Sequence, residues 1–99
     1  MGNRELAETT FQTCINVDPQ NRDAPYALGR IYHEAMRLPE SIEQFRNLLQ
    51  LLPANETQAA HTALANALFT QGEASEALEH YRAALQLGDD AAAALGQVR

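Results

Sequence analysis

Slid against itself by 34 places, the chain lays Ala7 on Ser41, Phe11 on Phe45, Cys14 on Leu48 and Pro19 on Pro53. Slid by 36, it lays Leu28 on Leu64, Gly29 on Ala65, Tyr32 on Leu68, Ser41 on Ala77, Phe45 on Tyr81 and Leu48 on Ala84. Small residues fall on small and large apolar residues on large, so one supersecondary unit recurs with a two-residue insertion. Such a unit hides its apolar face only by stacking on the next. The rest of the fold must be compatible with a row.

The unit is helical. Pro19, Pro25, Pro39, Pro53, Gly72 and Gly88 punctuate the chain, and between them apolar residues recur every three or four places, the period of a helix with one buried face. No segment alternates apolar and polar residues with β-branched enrichment, so the reading contains no strand. Helices are expected at about 3–17, 24–36, 39–52, 56–71, 74–87 and 91–98. Asp23 reads as an N-cap ahead of Pro25, Asn55 with Gln58 as a capping box, and Asp90 as the cap of a last short helix. The insertion falls beside Asn55-Glu56-Thr57 and extends the loop or the following helix.

Each unit therefore reads as a pair of helices. Gly29, Ala65, Ser41 and Ala77 sit where a larger side chain would hold two backbones apart, and Tyr32, Phe45, Leu68 and Tyr81 fill the space beside them. Pro25, Leu28, Gly29, Tyr32, Ser41, Phe45 and Pro53 in the middle unit, and His61, Leu64, Ala65, Leu68, Ala77 and Tyr81 in the last, make the pattern resemble the tetratricopeptide repeat. Two places depart from that pattern: Pro25 replaces the first large aromatic, and Asp89 stands where the closing proline belongs. The resemblance implies an all-α, right-handed solenoid of antiparallel helical hairpins forming a single domain over residues 1–99. It would comprise the second helix of a partial repeat (3–20), two whole repeats (22–55 and 58–90) and a terminal helix (91–99), about two and a half repeats in all.

Composition narrows the chemistry. All seven basic residues are arginine, which excludes roles that need a lysine, such as a P-loop clamp, a Schiff base or a general-base amine. A formal charge of -6 and a pI near 4.8 repel phosphate backbones and anionic lipid, so no nucleic-acid partner and no membrane insertion are expected. The 18 alanines suit closely approaching helices. Cys14 falls among packing positions and has no second cysteine to bridge. The start of the chain lacks a secretory or myristoylation pattern, and no apolar run approaches a membrane span, so the default is a soluble, cytoplasmic protein. Abundant Ala and Arg without Lys point to a GC-rich bacterial genome.

Two surfaces are candidates for function. The resemblance implies that the first helices of successive hairpins line a groove for a partner peptide or helix. On the face away from the packing residues this gives Asp23, Tyr26, Arg30 and His33 from one hairpin and Thr62, Asn66, Phe69 and Thr70 from the next. The second surface is the open end: helix 3–17 carries Leu6, Phe11 and Ile15 with no preceding helix to cover them, which suits a possible homo-oligomer. His33, His61 and His80 lie on three different helices with no i, i+4 pair, so neither a metal site nor a cofactor is expected. His33-Glu34 and Glu79-His80 are sequence neighbours pointing about 100° apart on a helix, so no catalytic dyad follows. The sequence thus reads as a non-catalytic module that binds another protein, with structural self-assembly as the alternative.

Overall fold

The computed structural model describes residues 2–96, with side chains from residue 3 to residue 88. Five helices follow one another: α1 (Gly2–Val17), α2 (Asp23–Glu34), α3 (Leu38–Leu51), α4 (Gln58–Gln71) and α5 (Ala74–Gly96). Among the described residues there is no strand. Each helix packs on the next in sequence, and α2 also touches α4, which makes an elongated row of 49 × 31 × 21 Å. The all-α class and hairpin architecture read from the sequence are those observed.

Local chemistry sets the helix ends, and three of them differ from expectation. Asp23 does not cap α2. Its own N–H and that of Ala24 donate to Asn21 Oδ1 at 2.9 and 3.0 Å, so the cap lies two residues earlier and Asp23 places its charge in the first turn. Nor do Asn55 and Gln58 form a capping box. The two-residue insertion is taken up by a 3-10 turn at Ala54–Glu56, closed by a hydrogen bond from the Thr57 hydroxyl to the Ala54 carbonyl at 2.8 Å. α3 ends as Pro39 and Pro53 predict, with Pro39 in its first turn and Leu52 extended ahead of the second proline.

The third difference is at the other end of the chain. A break was expected at Gly88-Asp89-Asp90, with a separate terminal helix beyond it, yet the backbone runs as one helix through Gly96, so no helix begins at Asp90. Gly88 lies within the helix and faces α4, where a Cβ would lie 2.8 Å from the movable tip of the Gln58 side chain, so this glycine marks a contact and not a turn. Its helix cost of about 1 kcal/mol is offset by that packing and by the alanine run that follows. The packing expected of Leu95 and Val98, and residues 97–99 of the terminal helix, lie outside the described part.

The core is thin and made by close approach. Leu28, Ser41, Phe45, Leu64 and Leu68 are the largest fully buried side chains, and Ala24, Ala60, Ala65, Ala67, Ala77 and Ala84 let the helices come together between them. At the first hairpin the Ser41 hydroxyl donates to the Gly29 carbonyl at 2.6 Å, which satisfies a buried polar group while tying α3 to α2. A Cβ on Gly29 would stand 2.6 and 2.8 Å from Cζ and Cδ1 of Phe45, so the ring occupies the space that glycine leaves.

Candidate binding groove

α2 and α4 lie beside one another and carry most of the residues the sequence singles out. Tyr26, Arg30 and His33 from α2 and Thr62 and Asn66 from α4 line one cavity of about 420 Å³, together with Gln58, Ala59 and Ala63. Its floor is Phe45 of α3, which reaches it past Gly29, and the Tyr26 ring packs on Phe45 at 6.2 Å between centroids. Thr70 sits at the edge, its hydroxyl 3.2 Å from His33 Nε2. Asp23 is in a neighbouring hollow of about 340 Å³ with Leu48, Leu52 and Ala60, separated from the first by Tyr26. Phe69 lines neither; it is 63% exposed in the last turn of α4.

The polar groups of the groove have distinct states. Arg30 lies 5.9 Å from the Tyr26 ring centroid and has no carboxylate partner among the described residues, whereas Arg22, Arg37 and Arg46 are each held by a glutamate. The Thr62 and Thr70 hydroxyls donate to carbonyls four residues back in α4, at 3.0 and 2.8 Å, which leaves them outward-facing lone pairs. Asn66 Oδ1 accepts the Tyr81 hydroxyl of α5, leaving the Asn66 NH2 as a donor. Among the described residues no aspartate or glutamate lines the cavity, although the chain as a whole carries a charge of -6. Phe45 and Gln58 were missed as groove residues because the repeat pattern assigns Phe45 to packing and Gln58 reads as part of a capping box; only the pairing of helices shows that both reach the cavity.

The open-end candidates are dispersed. Leu6 is 67% exposed, Phe11 is half-buried, and Ile15 turns into a hollow of about 550 Å³ between α1, α2 and α3, whose lining includes Pro25, Tyr32, Gln44, Asn47 and Leu51. α1 is held by a polar clamp invisible in the repeat pattern. Glu8 accepts the Tyr32 hydroxyl at 3.2 Å and Arg37 at 3.1 Å, while Arg37 stacks 4.5 Å above the Tyr32 ring and bonds Glu40. Burial, and then the Glu8 charge, push the Tyr32 phenol above its ordinary range.

Two histidines that the sequence separates are brought together on α4 and α5. His61 Nδ1 and His80 Nδ1 lie 3.0 Å apart with the rings stacked at 5.2 Å, and His80 Nε2 is 3.7 Å from a Glu76 carboxylate that Arg46 of α3 also holds. Burial lowers the His61 pKa, and the nearby His80 lowers it further.

A row of helical hairpins with a groove along its alternate helices defines an α-helical repeat scaffold. The tetratricopeptide repeat matches the chain twice, over residues 1–56 and 58–91, and the protein belongs to that family. Crystal structures of MamA share the arrangement. One superposes with a TM-score of 0.84 at 22% identity, covering 91% of this chain and 52% of its own; MamA MSR-1 does so at 0.82 and 28%, covering 90% and 50%. MamA AMB-1 superposes at 0.81 and 26%, over 90% of this chain and 52% of its own. The chain thus spans about half the length of these MamA structures, and the first likeness is one of fold alone. No curated protein matches the sequence. Among the described residues no helix is long and apolar enough to cross a membrane.

Proposed function

We propose that the protein is a non-catalytic interaction module whose α2–α4 groove takes an extended peptide or a helix of a partner protein bearing a carboxylate. The carrying observation is the unpaired Arg30 in a cavity free of acidic side chains, on a chain that is otherwise strongly acidic. Arg30 would receive the carboxylate, the Asn66 NH2 would donate to a backbone carbonyl, Thr62 would accept a backbone N–H, and Tyr26 over Phe45 would supply the apolar contact. The one hydroxyl–imidazole contact in the region, Thr70 with His33, supports a binding role over a catalytic one. The Thr70 proton is already donated to the Asn66 carbonyl, so His33 has no hydroxyl proton to remove.

An NMR titration with acidic, neutral and basic peptides of equal length tests this reading. Saturable shifts at Tyr26, Arg30, Thr62 and Asn66 with the acidic peptide, lost in Arg30→Glu, are the expected result. Shifts confined to α1, or equal response to all three peptides, would overturn it.

A further inference from the structure

We infer that His61 and His80 form a two-nitrogen chelate for a divalent transition metal, which would pin α5 to α4. Nothing in the spacing of residues announces it, because the ligands come from different helices and neither has a second histidine one turn away.

The spacing of the two nitrogens fits a chelate, and a hydrogen bond between them holds the rings in place before metal arrives. The two Nδ1 atoms are 3.0 Å apart, close to the roughly 3.3 Å that two imidazoles subtend on a tetrahedral zinc and the roughly 2.9 Å they subtend on a square-planar ion at metal–nitrogen distances near 2.05 Å. Both rings are half-buried on packed helices, so little side-chain freedom remains to be lost on binding. The outer nitrogen of His80 faces Glu76, itself fixed by Arg46 at 2.6 Å, which is the carboxylate–histidine arrangement that orients a ligating imidazole. Among the described residues no three His, Cys, Asp or Glu side chains converge, so water would complete the coordination. Imidazole nitrogens with water select copper, nickel or zinc over magnesium or calcium.

The internal repeat provides a control. Shifted back by 36 places, His61 and His80 fall on Pro25 and Gln44, both of which line the 550 Å³ hollow in the preceding hairpin. That hairpin closes without histidines at these two places, and Gln44 Oε1 is left buried without a hydrogen-bond donor. Packing of the unit therefore does not require imidazoles at these two places.

Untagged protein freed of metal with a chelator would be titrated with copper(II), nickel(II) and zinc(II) at neutral pH by calorimetry, with the histidine ring protons followed by NMR. The expected result is one saturable site, tightest for copper, with a rise in thermal midpoint at saturation and paramagnetic broadening by nickel confined to His61 and His80. His80→Gln, which copies the residue of the preceding hairpin and so keeps the fold, should abolish the site, as should His61→Gln. Glu76→Gln should weaken it about tenfold, and His33→Ala should leave it unchanged. No saturable binding by the wild-type chain, or binding that survives removal of both histidines, would overturn the assignment.

Discussion

The two complete hairpins, α2–α3 and α4–α5, solve one packing problem with different residues at equivalent places. In the first, Gly29 admits the buried Phe45 ring and Ser41 bonds across to the Gly29 carbonyl; in the second, Ala65 and Ala77 do the spacing and Tyr81 stands in for Phe45. Tyr81 is only half-buried, because its hydroxyl must reach Asn66 at the groove. The first hairpin is therefore locked from inside, and the second is tied more through polar groups at its surface. At the turns the contrast reverses. Both first helices end with the same backbone bond, Arg37 N–H to the Tyr32 carbonyl and Glu73 N–H to the Leu68 carbonyl, each 2.8 Å. The second hairpin puts Gly72 at the left-handed position with φ 100°, and the first puts Met36 there with φ 61°.

The largest effect expected from this contrast is at the aromatic plugs. Phe45→Ala should cost about 3–5 kcal/mol of unfolding free energy, and Tyr81→Ala less than half of that, because only the former removes a fully buried ring. Urea denaturation of both variants measures the ratio, and equal losses would show that the two hairpins are not locked differently. The turns come next. Met36→Gly should stabilise by about 1 kcal/mol and Gly72→Ala should destabilise by about as much, since nothing lies within 4 Å of a Cβ at Gly72 and only the left-handed backbone is penalised. Changes of the same sign in thermal midpoint would refute the equivalence of the two turns.

The smallest effect is the dependence on pH in the mildly acidic range, and it is expected at His61 of the second hairpin. His61 has its pKa lowered by burial and by His80, so folding favours its neutral form. Its contribution is complete above the ordinary value of 6.5 and is lost as the pH falls through the lower folded value. Of the groups facing it, His80 deepens the loss, and Glu76 with Arg46 behind sits at the outer nitrogen of His80 and does not reverse the sign. Metal-free protein in chelator should show a falling urea midpoint below pH 6.5, and His61→Gln should flatten that slope. A slope unchanged in the variant would mean that other groups carry it.

What the sequence determined is the part governed by period and residue size. The recurrence at 34 and 36 places sets the order of hairpins, the small-on-small matches mark where helices touch, and the prolines and Gly72 mark where most of them end. Five of the eight proposed groove residues, Tyr26, Arg30, His33, Thr62 and Asn66, share one cavity because the helical period alone places them on one face of each helix. Tertiary structure decided whatever depends on a second helix. Gly88 is a contact and not a stop because Gln58 lies against it; Phe45 belongs to the groove because Gly29 lets it through; the Glu8–Arg37–Tyr32 clamp and the His61–His80 pair exist because residues 19 to 29 places apart meet in space. Periodicity says which way a side chain faces along its own helix, but it is silent on what stands opposite, and hydrogen bonds, ion pairs and ligand sites are properties of what stands opposite.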